Sequence, residues 1–455
     1  AAKFAANNSI YIMRRLLFIF SFLSLLVVDG KAQEVETLTL EDCLRIGIDN
    51  NLSLEGKRKE IQKSKYGVSE NRSKLLPQIT VIAGYNNNFD PPVSVTDGSS
   101  YGVPYNITKT LQHTANAGLE MQMPLFNQTL YTSMSIAKVM EEISRLSYGK
   151  AREDIIMQIS KMYYLGQVTA EQIVLIKANI TRLEELRDIT QAFFDNGMSM
   201  EVDLKRVNIN LENLKVQYDN AQAMMKQQLN MLKYIMDYPA EKEFVLTPVN
   251  TDSITTVALT GLSENIYELQ LSQSQVQLAE KQKKIVSNGY IPSLSLTGSW
   301  RYAAYTDKGY HWFHSGPSNH WFRSYGLGLT LRIPIFDGLD KTYKIKKAMI
   351  DIENSKLAWE NARKSLQTQY LNAVNDLMNN QRNFKKQKDN YLLAEDVYAV
   401  TSDRYREGIA SMTEVLQDEM QMSEAQNNYI SAHYNYRVTN LMLLKLTGQI
   451  ESLVK

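Results

Sequence analysis

One string of residues occurs twice in this chain. Gly118-Leu119-Glu120-Met121-Gln122-Met123-Pro124-Leu125-Phe126-Asn127-Gln128 is answered by Gly328-Leu329-Thr330-Leu331-Arg332-Ile333-Pro334-Ile335-Phe336-Asp337-Gly338, roughly 210 residues downstream. Landmarks on either side recur in the same order and at nearly the same offset. Pro77 answers to Pro292, Phe194-Asp195-Asn196-Gly197 to Tyr405-Arg406-Glu407-Gly408, Asp203 to Glu414, and Leu232 to Leu443. An ordered series repeated over most of a chain means a duplicated architecture. A length of 455 residues suggests about two to four domains, but two copies of one unit more readily interlock than stand apart. The expected division is 1–32, an upstream stretch plus signal peptide; 33–238, the first repeat; 239–261, a linker; and 262–455, the second repeat.

Each copy alternates long helical segments with short strands. Only 10 prolines and 21 glycines interrupt the chain, which favours long helices. Tyr370, Leu377, Phe384, Tyr391, Tyr398 and Tyr405 follow one another at a strict spacing of seven, and Ile159, Gly166, Ile173, Ile180, Arg187 and Phe194 hold the equivalent positions of the first copy. Leu204, Val207, Leu211, Leu214, Tyr218 and Ala221 continue the pattern on the returning segment. Such a period winds helices into left-handed coiled coils and makes the aromatic stripe their core. Two helical hairpins follow, turning at Gly197 and Gly408. The expected helices run from 40 to 76, 125 to 196, 199 to 237, 262 to 291, 335 to 407 and 411 to 447. The longest spans about 105 Å at 1.5 Å per residue. In each copy one long helix is matched by two shorter ones end to end, giving a tall cylinder wall.

Met13-Arg14-Arg15, the apolar run Leu16 to Val28 and Gly30-Lys31-Ala32 before Gln33 form a charged start, a short hydrophobic region and a small-residue cleavage site, the pattern of a signal peptide. Met13 is the expected initiator. No later segment is apolar for the 18 residues or more that a spanning helix needs, so membrane contact is expected from strands or a surface helix. Cys43 follows Leu40-Glu41-Asp42, which is no lipidation context; it is expected to be a buried helix residue.

The expected strands are 78–85, 112–123, 292–305 and 324–333, with a polar loop from Asn86 to Thr110. Pro77, Pro124, Pro292 and Pro334 mark the strand–helix junctions. The strands form two hairpins at the same end of the two copies. Their length, about ten residues each, suits a tilted bilayer span. Tyr85, Phe126, Trp300, Tyr302, Tyr305, Trp321 and Phe336 flank them as interfacial aromatics do. Four strands cannot close a barrel, and lipid tolerates no open edge, so several copies are required.

With these passages in order, the mature sequence resembles the TolC family of outer-membrane efflux factors. Leu40-Glu41-Asp42-Cys43-Leu44 through Asn50-Asn51, Leu75-Leu76-Pro77, the two Pro-aliphatic-Phe junctions, and Leu443-Leu444-Lys445-Leu446-Thr447-Gly448 carry the likeness together. The resemblance implies a mainly α-helical protomer with membrane β-strands. Three protomers would form a helical tunnel continuous with a twelve-stranded barrel in the outer membrane, most of the protein being periplasmic. It implies an exit duct serving a periplasmic adaptor and an inner-membrane transporter of RND or ABC type. Phe194, Gly197, Tyr405 and Gly408 would lie at the periplasmic tip. Asp203 and Glu414 would match acidic positions used in tip gating, where rings of carboxylates favour cations. Two departures stand out. Ala410 occupies a position that is basic in some relatives, so Arg404 or Arg406 would have to pair with Asp203. Gln417 stands where a second acid occurs.

Other classes find little support. A net charge of +1 with mixed signs offers no basic face for nucleic acid. One cysteine excludes an internal disulfide or a cysteine zinc site. No phosphate loop or nucleophile elbow occurs, so no enzyme and no cofactor is expected. His311, His314 and His320 read as an exterior loop rather than a metal site. The alternatives are a periplasmic coiled-coil adaptor and a coiled-coil scaffold. The duplication with paired strands argues against the first; the signal peptide and strands argue against the second.

Overall fold

A computed structural model describes residues 36–109, 111–248, 261–306 and 321–454. Its helices are α1 (Leu40–Asn50), α2 (Leu52–Ser73), α3 (Gln128–Asp195), α4 (Glu201–Met236), α5 (Tyr267–Ser287), α6 (Asp340–Arg406) and α7 (Met412–Leu446). With 68 and 67 residues, α3 and α6 each extend roughly 100 Å. Against α3 pack α2 near the strands and α4 toward the far end; α5 and α7 flank α6 in the same way. The two units interlock, because α3 also packs on α5 and α7 of the other copy.

The first helix is broken where one continuous helix to residue 76 was expected. Asn51 leaves helical geometry at ψ 119°, its side chain accepts from the Leu54 amide, and it caps α2. The same side chain donates to the Ile235 carbonyl at 2.7 Å. An asparagine whose side chain caps the start of α2 and also meets a carbonyl in the last turn of α4 makes a break cheap.

Two main cores hold the helices. Cys43, Leu44, Leu54, Ile156, Ile159, Met236, Tyr370, Leu377 and Leu443 belong to the larger. Leu183, Leu186, Val207, Leu211, Leu214, Tyr398, Tyr405, Val415 and Met422 form the second, near the helix turns. Complete burial of each such aliphatic side chain stabilises by about 1.5–3 kcal/mol. In α6 the seven-residue stripe stays in the core: Tyr370, Leu377, Tyr398 and Tyr405 are buried, and Phe384 and Tyr391 stack on Tyr429. In α3 the stripe slips. Ile159 and Gly166 are buried, but the inward positions then become Ile176, Leu183, Leu186, Thr190 and Phe193, while Phe194 is 39% exposed. A straight helix drifts about 20° per heptad against a strict seven-residue repeat, enough over several heptads to move the seam by one residue.

Eight strands occur among the described residues: β1 (Glu36–Leu38), β2 (Gln78–Asn87), β3 (Val93–Asp97), β4 (Tyr105–Lys109), β5 (His113–Phe126), β6 (Phe244–Leu246), β7 (Ser293–Thr306) and β8 (Trp321–Arg332). The four long ones make one antiparallel sheet in the order β2-β5-β7-β8, so the two expected hairpins fuse through β5 and β7. The stretch read as a polar loop contains the hairpin β3–β4. Within the stretch read as linker, β6 pairs in parallel with β1. This small sheet sits beside the middle of α3, where Tyr163 donates to the Leu38 carbonyl and Gln167 to the Thr247 carbonyl. Three-residue strands are too short to carry an alternation signal. No described helix is long and apolar enough to cross a membrane.

Candidate functional site: the two-faced sheet and the helical tip

Register assigns the side chains of the long sheet to two faces. Gln78, Thr80, Glu120, Gln122, Thr297, Ser299 and Arg301 share one, which is polar. Arg301 donates to Glu120 across it at 2.6 Å. Ile79, Val81, Leu119, Met121, Trp300, Tyr325 and Leu327 share the other. Along β8, Tyr325, Leu327, Leu329 and Leu331 are each more than 60% exposed. Alternation of period two near the helices gives one face to water and one to an apolar phase; Ile82, Tyr305 and Phe322 stand on the polar side and Arg323 on the apolar side.

Three of the four prolines stand where the chain enters or leaves this sheet. Pro77 lies immediately before β2 and Pro292 immediately before β7. Pro334 sits two residues past β8, in the connection to α6. Pro124 is not a strand terminator: β5 runs through it to Phe126, with a register shift between Pro124 and Phe126. Proline has no amide to give a ladder, and a bulge accommodates that lack.

At the opposite end each helical hairpin turns on a glycine. Gly197 has φ +71° and Gly408 φ +74°, a left-handed conformation that an L side chain reaches only with strain. Met198 N–H donates to the Phe193 carbonyl and Gly197 N–H to that of Phe194; Ile409 and Gly408 repeat this on Arg404 and Tyr405. These paired bonds satisfy the last carbonyls of α3 and α6. Phe194 thus contributes backbone, whereas the ring packed on Tyr405, at 5.6 Å between centroids, is Phe193.

Asp203 and Glu414 lie in the first turns of α4 and α7, where the helix dipole favours an acid. Their surroundings differ. The Asp203 side chain is 14% exposed and pairs with Arg206 at 3.2 Å. Glu414 is exposed, and its amide is capped by the Ser411 hydroxyl. The partner of Asp203 is therefore neither Arg404 nor Arg406. Arg406 is held by Asp403 at 3.1 Å and Glu185 at 3.5 Å. Ala410 packs on the tip core, and Gln417 is exposed.

Polar bonds tie the hairpin α3–α4 to the hairpin α6–α7. Arg206 donates to Thr413 at 3.3 Å, and the Thr190 and Tyr405 hydroxyls meet at 3.2 Å. Arg182 donates to Glu395, Asn179 to Gln426 and Tyr429 to Glu171. Burial raises the Tyr405 hydroxyl above its ordinary range, so it stays protonated and able to donate. Glu419 is 5% exposed, one of its oxygens has no partner, and burial raises its carboxyl. Arg206, Thr190 and Phe193 were missed from sequence because a side chain's partner across two hairpins depends on helix rotation, which a repeat pattern leaves loose.

The Cys43 thiol is buried and pushed up to about 12, chiefly by burial, the state of an inert core residue. Among the described residues no cluster of acids, histidines and cysteine could hold a metal. The loop carrying His311, His314 and His320 lies outside the described residues.

The family profile described as outer membrane efflux protein matches residues 46–236 and 260–449. Outer membrane protein TolC of Vibrio cholerae is 21% identical over 396 residues, 84% of each chain. The toluene efflux pump outer membrane protein TtgC of Pseudomonas putida is 23% identical over 382 residues, 79% of this chain and 75% of that one. Among solved structures, CusC superposes with a TM-score of 0.75 at 15% identity, covering 92% of this chain and 94% of that one, a likeness of fold. Profile, relatives and fold coincide on the long helices and the two-faced sheet: the chain belongs to the outer membrane efflux protein family, and is an exit duct of the bacterial outer membrane with a large periplasmic portion, a conduit rather than an enzyme.

Proposed function

We propose that three copies of this chain close their sheets into one twelve-stranded barrel and their helices into a periplasmic tunnel. The observation that carries this reading is the sheet itself. Its outer strands β2 and β8 each pair on one side only, and over the stretch nearer the helices one face is apolar, with Ile79, Val81, Tyr325, Leu327, Leu329 and Leu331 exposed. Unpaired edges are not tolerated in lipid, and a third of a barrel supplies both an edge donor and an edge acceptor. The polar face then lines the bore. Domain boundaries at 33–238 and 262–455 fit this reading, each half giving two strands and one helical hairpin.

At the far end the hairpin turns at Gly197 and Gly408 form the tunnel mouth. Asp203, held by Arg206, and the free-standing Glu414 set rings of carboxylates there, which favour cations. The bonds between hairpins, Arg206 to Thr413 and Thr190 to Tyr405, hold the mouth narrow. A periplasmic adaptor engages the exposed tip, where Met198, Met200 and Ile409 are each more than 60% exposed, and an RND or ABC transporter of the inner membrane delivers the cargo.

The test is the mass of the detergent-purified protein together with its single-channel conductance. A trimer with a small, cation-selective conductance that loses selectivity in Asp203→Asn plus Glu414→Gln supports both duct and acidic mouth. A trimer whose selectivity ignores the double change removes the gating role. A monomer without conductance overturns the assembly.

A further inference from the structure

Within β2, β5, β7 and β8 there is one carboxylate, Glu120, and it lies on the polar face against Arg301. The apolar face carries a cation. Arg323 stands opposite Tyr302 in the ladder, beside the pair Trp300 and Tyr325, and so shares their outward face. Its guanidinium lies 5.8 Å from the centre of the Tyr325 ring. It is exposed and makes no ion pair with a described residue. The edge strand that a neighbouring copy would bring alongside, Gln78–Asn87, holds no acid either.

Height decides what this cation meets. Arg323 is eight residues beyond Leu331 along β8, on the side away from the helices. At about 3.3 Å per residue and a tilt near 40°, that is roughly 20 Å along the membrane normal. An outward apolar band is about 25 Å tall, so Arg323 lies at its outer rim. A cation at the midplane is costly, but near the interface that cost falls away. Aromatics at that level position a headgroup: Trp300 and Tyr302 pack edge to face at 5.3 Å, and such rings settle at the lipid–water boundary. An arginine there, with no counter-ion among the described residues, has the planar fork that matches a phosphate.

We infer that Arg323, with Trp300, Tyr302 and Tyr325 around it, is a binding site for the phosphate of an outer-leaflet lipid headgroup, one per protomer. The site rests on the barrel reading, since the face must turn toward lipid. Nothing in it requires the tip to be open or shut.

The experiment uses the full-length protein purified in a neutral detergent and native mass spectrometry with a phosphorylated lipid A-type glycolipid. The same glycolipid stripped of phosphate, and inorganic phosphate, serve as controls. Expected are up to three phosphorylated lipids per trimer, with affinity about tenfold or more lower in Arg323→Gln, the size of one charge-assisted contact. Arg323→Lys is expected to retain part of the affinity. Equal binding by Arg323→Gln, or equal binding of the phosphate-free lipid, overturns the site. Binding of inorganic phosphate as tight as that of the lipid overturns the lipid assignment. Single-channel conductance of the same samples separates the two readings: normal conductance without lipid preference removes the site alone, and a wild type without conductance removes the barrel. If Arg323→Gln fails to assemble, Tyr325→Leu and the loss of wild-type affinity with rising salt test the same contact.

Discussion

Arg206 lies between two partners, 3.2 Å from Asp203 on its own helix and 3.3 Å from Thr413 on the other hairpin. One side chain thereby holds a tip acid and joins the halves of the repeat. Replacing it with alanine releases both at once. Arg206→Ala is expected to raise single-channel conductance in planar bilayers more than Thr413→Val does, because the latter leaves Asp203 paired. Equal conductance in all three proteins would remove Arg206 from the closure.

Thr190 and Tyr405 make the neighbouring link, with both hydroxyls buried. Tyr405→Phe keeps the ring on Phe193 and deletes the bond. A stability loss of about 0.5–1.5 kcal/mol is expected, and Thr190→Val in the Tyr405→Phe background should add little. A double-mutant cycle on denaturant unfolding measures the coupling; full additivity would show that the bond contributes nothing.

Glu153 predicts the pH response. It is 4% exposed on α3, and its carboxyl is raised to about 7. Burial is the main cause; Lys445 opposes it, and Glu451 and Asp154 add to it. The folded value exceeds the ordinary one of 4.5, so the contribution to stability is complete below pH 4.5 and is lost as pH rises through about 7. The linked loss by pH 8 is at most roughly 3 kcal/mol per chain. Glu153→Gln is expected to flatten the melting temperature between pH 5 and 8 and raise it at pH 8. An unchanged slope counts against this assignment.

Gly149 and Gly56 give opposite forecasts for one substitution. A β-carbon on Gly149 would overlap the ring of Tyr267, which seats the start of α5 against α3, whereas Gly56 has nothing within 4 Å. Gly149→Ala is expected to cost about 1–3 kcal/mol, and Gly56→Ala to stabilise by up to about 1 kcal/mol. Thermal unfolding of the two variants side by side checks both.

Much of the fold was legible because its signals are long. Helices of 68 and 67 residues repeat their pattern many times, and four alternating strands declare two faces. What escaped was short or depended on rotation. Asn51 breaks a helix through one side chain. β1 and β6 meet over three residues from distant parts of the chain. Phe193 and Phe194 are adjacent, and only the accumulated drift of α3 decides which ring points inward. For the tip, Gly197 and Gly408 were readable because a left-handed turn demands glycine. Arg206 was not, since Arg404 and Arg406 satisfied the same charge argument.

The strand β8 has both faces exposed along its whole length and a partner on one side only. On the trimeric reading, this makes the lone protomer a short-lived species. Before its siblings arrive it presents a sticky ribbon to every other chain in the periplasm. Appearance of the finished channel should therefore depend steeply on the amount of newly exported chain, and the share lost to proteolysis should be greatest when synthesis is slow.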